Sequence, residues 1–153
     1  MRLAILISVV AATVMSDLTA SAGDALDPMI SPEAVVLIQL RALQNNDLPR
    51  RDSGIRKVWA FAHPDNKRYT GPLLKFMAMI KGPDYAMLID HRHHDIQLLG
   101  QNGSIAVFVI RVTAEDGLVY HCQWQVGPVI EGANAGAWLT IGVSPPILVG
   151  RGT

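Results

Sequence analysis

The sequence predicts an α+β fold in which three N-terminal helices pack on a curved, cone-like, four-stranded antiparallel meander sheet. In the N-terminal half, apolar residues recur every three to four positions, whereas in the C-terminal half they alternate with polar ones. These are the periods of helices and of half-buried strands. Glu115-Asp116-Gly117 joins two apolar runs, and an Asp-Gly pair in that setting is typical of a hairpin turn with two positive φ angles. Helices followed by strands favour the α+β class.

Three helices are predicted in the N-terminal half. Ser31-Pro32-Glu33 combines a hydroxyl N-cap, a proline in the first turn and an acid near the positive helix end. The first helix is therefore predicted over Ala34–Leu43. A second is predicted over Ile55–Ala62, ending at His63-Pro64 because the residue before proline avoids the α conformation. The third is predicted over Leu73–Lys81.

Four strands are predicted in the C-terminal half. Tyr85–Leu99 is a long candidate in which the apolar parity switches near His91–His94, so a bulge or bend is expected there. The hairpin strands Ser104–Val112 and Leu118–Val126 follow, and Ala137–Val143 is the last. Alternation in the second hairpin strand predicts these side chains on its covered face: Leu118, Tyr120, Cys122, Trp124 and Val126.

One domain accounts for most of the chain. The 153 residues are 50% hydrophobic and 17% charged, which suits a single globular domain. That domain is predicted over residues 31–145, with residues 146–153 as a mobile tail. Residues 1–22 have the basic start, short apolar core and small-residue cleavage site of a signal peptide. Export is therefore expected, secreted or periplasmic/lumenal, without membrane attachment after cleavage; an uncleaved anchor or an organelle-targeting leader is the alternative.

The charge pattern excludes one class of partner. The formal net charge is zero and no basic stripe is present, which argues against nucleic-acid binding. The local cluster of Arg50, Arg51 and Arg56 is interpreted as a solvated loop.

Cys122 is the only cysteine, so it cannot form an intramolecular disulfide and is predicted to be a buried thiol. The Gly-rich segment 127–136 lies between strands and lacks the setting of a phosphate loop, so no cofactor is predicted.

One stretch carries a family resemblance. Trp59–Pro72 (WAFAHPDNKRYTGP), followed by Phe76-Met77 and Tyr85 and preceded by Gln39–Leu43 and Asn46-Asp47, resembles an uncharacterised family known as domain of unknown function 4864. The order of elements is similar to the nuclear transport factor 2-like and ketosteroid-isomerase-like superfamily, with its cystatin-like cone fold. The resemblance implies an apolar cavity between sheet and helices but no activity, because the superfamily includes enzymes, binding modules and assembly domains.

A non-catalytic binding module is therefore the predicted function, with a small apolar molecule or a protein partner on the concave face of the sheet. Four large side chains are predicted to line its pocket: Trp59, Phe76, Tyr120 and Trp124. A solidly packed core is the alternative use of these residues. The alternative function is an isomerase- or lyase-type enzyme, which needs a carboxylate base and an oxyanion-stabilising group in the cone pocket. Asp90 and Tyr120 are the candidates for those roles.

Two further possibilities depend on single strands. On a strand, His91 and His93 share a face, and two imidazoles so placed can bind a metal if a third ligand arrives. No third ligand is identified for these histidines or for His94, so no metal site is predicted. A homodimer through the polar face of the sheet is also possible, because Val109 and Val119 place apolar side chains there.

Overall fold

Four helices form one layer of the fold in the computed structural model, which describes residues 26–152. The helices are α1 (Pro32–Gln44), α2 (Ser53–Ala60), α3 (Pro64–Thr70) and α4 (Leu73–Ile80), and a short 3-10 helix follows at Ala86–Leu88. Within the described part of the chain, no helix has the length and apolar character needed to span a membrane. The predicted signal peptide, residues 1–22, lies outside the described residues.

Five antiparallel strands form the second layer. They are β1 (His93–Gln101), β2 (Ala106–Thr113), β3 (Leu118–Pro128), β4 (Trp138–Val143) and β5 (Ile147–Arg151). The sheet order is β1-β2-β3-β4, and β5 pairs with the first half of β3 while β4 pairs with the second half. Helices packed on a curved antiparallel sheet confirm the predicted α+β class, with one helix and one strand more than expected.

Helix α1 forms for the reasons that its sequence indicates. The Ser31 hydroxyl accepts a hydrogen bond from the Ala34 amide at 3.2 Å, and Pro32 occupies the first turn. Since a hydroxyl cap satisfies an amide that lacks an intrahelical partner, the start of the helix is fixed locally. Its buried face packs on the sheet and contains four apolar side chains and one amide: Val35, Val36, Leu40, Leu43 and Gln39.

Helix α3 was not predicted. Helix α2 already ends at Ala60, and the His63-Pro64 pair begins the next helix. His63 Nδ1 accepts a hydrogen bond from the Asp65 amide at 3.1 Å, and Pro64 occupies the first turn of α3. Proline is well suited to that position because its missing N–H would have no intrahelical acceptor there.

The predicted long strand Tyr85–Leu99 is wrong in its first half. A 3-10 helix occupies Ala86–Leu88, Asp90 has a positive φ of 53°, and β1 begins only at His93. The Asp90 amide donates to the Leu43 carbonyl at 2.8 Å, which ties this segment to the end of α1. The switch in apolar parity therefore marks the boundary of the strand and not a bulge within it.

The central hairpin is confirmed, with a different turn. Ile110 pairs with Cys122 in the register of β2 and β3. Of the two turn residues predicted to have positive φ, only Gly117 does, at 84°. The Gly117 amide donates to the Ala114 carbonyl at 2.9 Å, and the Asp116 carboxylate accepts from the Leu118 amide at 2.9 Å. The bond between Gly117 and Ala114 makes Glu115 and Asp116 the two central residues of the turn, and the glycine that follows them has the positive φ, as in three-residue hairpin loops.

The segment predicted to be a mobile tail forms a strand instead. Residues 147–151 make up β5, in which Gly150 pairs with Val119. The end of the chain therefore covers Val119, which is only 2% exposed. Val109 is half-buried. Val119 therefore exposes little apolar surface, and the homodimer stays a prediction.

The hydrophobic core lies between the helices and one face of the sheet. Alternation along β2 and β3 brings Phe108, Ile110, Cys122, Trp124 and Val126 to that face, as the sequence predicts for β3. The helices contribute the other half of the core, principally Leu40, Leu43, Ile55, Phe76 and Ile80.

Candidate functional site

An apolar cavity of about 130 Å³ lies between the helical layer and the covered face of the sheet, and it is partly open to solvent. The helices form most of its wall with the side chains of Leu43, Val58, Phe76, Met79, Ile80 and Leu88. The sheet contributes Trp124 from β3 and Thr140 and Val143 from β4. Polar side chains border it at three further positions: Asn66, Thr70 and Tyr85.

Two of the four predicted pocket residues meet in this cavity. Trp124 reaches it because the alternation of β3 turns it inward, and Phe76 reaches it from the buried face of α4; both are at most 3% exposed. Trp59 does not line the cavity; its ring lies under Lys67, whose Nζ is 4.1 Å from the ring centroid. Tyr120 borders a separate, shallow depression beside Met87.

A buried hydrogen-bond network fixes the floor of the cavity. Thr140 Oγ1 accepts from Trp124 Nε1 at 3.0 Å and from Gln39 Nε2 at 2.8 Å, and it lies 3.0 Å from Gln39 Oε1 as a donor. Gln39 Nε2 also donates to the Val35 carbonyl at 3.0 Å. Since all three side chains are at most 3% exposed, this network joins α1, β3 and β4 in a dry environment where unmade hydrogen bonds are costly.

The polar groups at the rim donate to backbone carbonyls. Tyr85 donates its hydroxyl to Val143 O at 2.9 Å, Asn66 Nδ2 donates to Thr140 O at 3.2 Å, and Thr70 Oγ1 donates to Asn66 O at 3.1 Å. Burial, with a smaller contribution from the charge of Asp84, raises the pKa of Tyr85, so its hydroxyl stays protonated at neutral pH. None of the lining residues is charged, and the cavity is therefore suited to neutral, apolar molecules.

The structure does not bring Asp90 and Tyr120 to the cavity. Asp90 is exposed, and its Oδ1 accepts a hydrogen bond from the Asn46 amide at 3.2 Å. Neither residue is among those that line the cavity. A carboxylate that is exposed and occupied by a backbone amide lacks the dry environment that makes a general base.

The histidines of the 91–94 segment divide into a hydrogen-bonded pair, the buried His91 and the half-buried His94, and the exposed His93. His91 is 2% exposed; its Nδ1 lies 2.7 Å from Leu88 O and its Nε2 lies 2.7 Å from His94 Nδ1. Because a carbonyl only accepts, His91 Nδ1 carries the proton and His94 Nδ1 donates to His91 Nε2. Burial is the main cause that lowers the pKa of both rings. His93 is exposed and faces Asp95 at 3.3 Å.

Neither metal binding nor thiol chemistry gains support from these side chains. Across residues 26–152, no group of three or more histidine, cysteine or acidic residues is placed to hold a metal ion. Cys122 is buried, as predicted, and burial raises its pKa to about 12. A thiol with that pKa is not a nucleophile at neutral pH.

Several residues of the cavity and of the hydrogen-bond network beneath it were missed by the sequence analysis. Thr140 looked like an ordinary strand residue, and Gln39 like one polar position in an apolar helix. The position of Gln39, four residues after Val35 on the buried face of α1, was the available signal, because a core amide needs a polar partner. Tyr85 and Asn66 gave no such signal, since their partners are backbone carbonyls of β4.

The comparisons with known proteins identify no relative of this chain. The likeness to the domain of unknown function 4864 family and to the nuclear transport factor 2-like superfamily stays a prediction from the sequence. No family model matches the chain, and neither a curated protein nor a solved structure matches it.

Proposed function

We propose that this protein is a non-catalytic binding module that holds a small, neutral, apolar molecule in the cavity between the helices and the sheet. The supporting observation is the cavity itself, with Trp124 and Phe76 in its wall and no charged lining residue. Sites for small molecules are typically apolar concavities with a few polar groups. Thr140 is such a group on the floor of the cavity, and Tyr85 is one at its rim.

The volume of the cavity limits the ligand. An engineered apolar cavity of about 150 Å³ binds benzene, and the cavity here is close to that size, at about 130 Å³. Pockets for drug-sized ligands begin at about 300 Å³. The proposed ligand class is therefore a single aromatic ring or a short branched aliphatic molecule.

The state of the polar groups favours an apolar ligand over a polar one. The hydroxyls of Tyr85, Thr70 and Thr140 are already hydrogen-bonded within the protein. A ligand that required these donors would have to break existing bonds, and the exchange would contribute little net free energy. Burial of apolar ligand surface remains as the main source of affinity. A protein partner on the concave face has less support, because the helices cover that face.

Benzene titration monitored by NMR tests the proposal. The indole N–H of Trp124 is a reporter inside the cavity wall, and its resonance is expected to shift on addition of benzene or toluene with a dissociation constant of about 1 mM or tighter. Val143→Phe is expected to abolish the shift, because Val143 pairs with Trp124 and lines the cavity.

Val109→Phe is the matched control. Val109 is also half-buried in the sheet, but it pairs with Gln97 and Gln123 on the face opposite the core. This variant is expected to bind benzene as the unmodified chain does. Absence of any shift in the unmodified chain, or equal binding by the Val143→Phe variant, contradicts the proposed function.

A further inference from the structure

The loop between α1 and α2 forms a second concave surface, which has a charged lining, unlike the apolar cavity. A depression at this loop is lined by Pro49, Arg50, Arg51, Ser53 and Arg56. Three positive charges thus border one depression within seven residues of sequence, on a protein whose formal net charge is zero. None of these residues lines the apolar cavity.

The acids of the same loop, Asp47 and Asp52, are hydrogen-bonded to groups other than the arginines. Asp52 is only 7% exposed; its Oδ2 lies 2.7 Å from Lys81 Nζ and its Oδ1 accepts from Asn46 Nδ2 at 3.2 Å. The hydrogen bond from Lys81 is the main cause that holds the pKa of Asp52 below its usual range. Asp47 Oδ1 accepts from the Asp52 amide at 2.9 Å and from Asn46 Nδ2 at 3.0 Å. Both carboxylates of the loop therefore stabilise its conformation through hydrogen bonds.

The arginines have no such partners. In the described range 26–152, the ion pairs of Lys and Arg side chains involve other cations: Arg68 with Asp65, Lys81 with Asp52, and Arg111 with Asp95. Arg50, Arg51 and Arg56 are exposed and make no ion pair within this range. The charge of Arg51 contributes only the smallest of the causes that lower the pKa of Asp52. Like charges that are close together without an ion-pair partner repel one another, and binding of an anion relieves that repulsion.

The backbone that carries the arginines is held firmly. Asn46 accepts hydrogen bonds from two amides of α2, through its carbonyl from Gly54 at 2.8 Å and through Oδ1 from Ile55 at 3.1 Å. Ser53 closes the loop in both directions, because its amide donates to Arg50 O at 3.0 Å and its Oγ accepts from the Arg50 amide at 3.1 Å. A preorganised loop loses less conformational entropy when a ligand binds.

From this arrangement we propose that the depression at Arg50, Arg51 and Arg56 is a binding site for a phosphate-bearing anion. The planar guanidinium group pairs with phosphate oxygens through two parallel hydrogen bonds, and several arginines together are typical of phosphate recognition. The phosphate belongs either to a free anion or to a lipid headgroup. Leu48, which precedes Pro49 in the chain and is 69% exposed, offers apolar contact in the second case.

The test uses the full chain and two kinds of probe. Pyrophosphate is titrated while the Nε–Hε resonances of the arginines are followed by NMR. Co-sedimentation is measured with vesicles of phosphatidylcholine that contain phosphatidic acid, and with pure phosphatidylcholine vesicles as the blank. Binding to one or both anionic probes, weakened by added salt, is the expected result. Binding of pyrophosphate alone identifies a free anion, and binding of the anionic vesicles alone identifies a headgroup.

The variants R50Q, R51Q and R56Q, combined in one chain, are expected to weaken binding about tenfold or more. Since the three side chains are exposed and unpaired, the combined variant is expected to keep its thermal unfolding midpoint. The single variant R51Q, with an intermediate loss, serves if the combined variant does not fold.

A matched control removes three exposed positive charges from other places: K75Q, R92Q and R151Q. It has the same net charge as the arginine variant, so general electrostatic attraction weakens equally in both. Equal losses in the two triple variants, no loss in the arginine variant, or no binding of either anionic probe to the unmodified chain overturns the proposal.

Discussion

Replacement of Thr140 by valine removes the centre of the buried network beneath the cavity. Valine has nearly the shape of threonine, so the substitution deletes the hydroxyl without opening a void. Trp124 Nε1 then loses its acceptor, and Gln39 Oε1 loses its donor. Gln39 Nε2 keeps its second partner, the Val35 carbonyl at 3.0 Å, so two polar atoms and not three are left without a hydrogen bond.

The expected cost follows from these two atoms. A buried polar group left unsatisfied costs about 1–3 kcal/mol, so two such groups in Thr140→Val are expected to lower the free energy of unfolding by about 2–6 kcal/mol. Domains of this size are stable by about 5–15 kcal/mol, and the loss is therefore a large fraction of the total stability. Urea denaturation measures it, through a shift in midpoint at constant slope.

Thr140→Ser is the control for this measurement. Serine keeps the hydroxyl and removes one methyl group, whose burial contributes about 1 kcal/mol. Thr140→Val is therefore expected to be clearly less stable than Thr140→Ser, although valine is the more hydrophobic residue. If the valine variant is as stable as the serine variant, the network does not stabilise the fold in the way described.

Two further predictions concern the contact between α1 and α2 at Gly54 and the pair formed by His91 and His94. Gly54→Ala is expected to lower the free energy of unfolding by about 3 kcal/mol, because the added Cβ would lie 2.1 Å from Ala42 O; at Gly100 the same substitution meets nothing within 4 Å and is the control, to be compared by urea denaturation. The pKa of His91 and His94 is lowered below 6.5, so the unfolded chain binds more protons and stability is expected to fall as pH drops below about 6.5. His94→Gln should make that decline shallower, and an unchanged pH profile would contradict the assignment.

The parts of the fold that were predictable are those fixed by local sequence. The N-cap at Ser31 and the alternation of β3 act within a few residues, and both are found as predicted. Strand β5 depends on pairing with β3, about 30 residues earlier in the chain. Its sequence, Ile147–Arg151, follows two prolines close to the end of the chain and therefore looked like a tail.

The candidate site, too, was predictable only where local sequence determines which way a side chain faces. Phe76 and Trp124 line the cavity because each lies on the buried face of its own element. Trp59 was predicted to line the pocket as one of the large side chains available, but α3 was not predicted, and Lys67 of α3 lies over the Trp59 ring. Tyr85 also lines the cavity, and its hydroxyl is held by a hydrogen bond to the Val143 carbonyl in β4. No local pattern encodes that contact.

Helix α2 connects the two proposed sites, and this determines which variants can separate them. Val58 lines the cavity and Arg56 lines the arginine depression; two residues apart, they lie on nearly opposite sides of the helix. The start of α2 is held against α1 at Gly54, where no room exists for a side chain. A substitution at Gly54 therefore displaces both walls at once and cannot distinguish the sites. Substitution of the exposed arginines leaves the backbone and Val58 in place, so loss of phosphate binding with retained benzene binding shows that the two sites are independent.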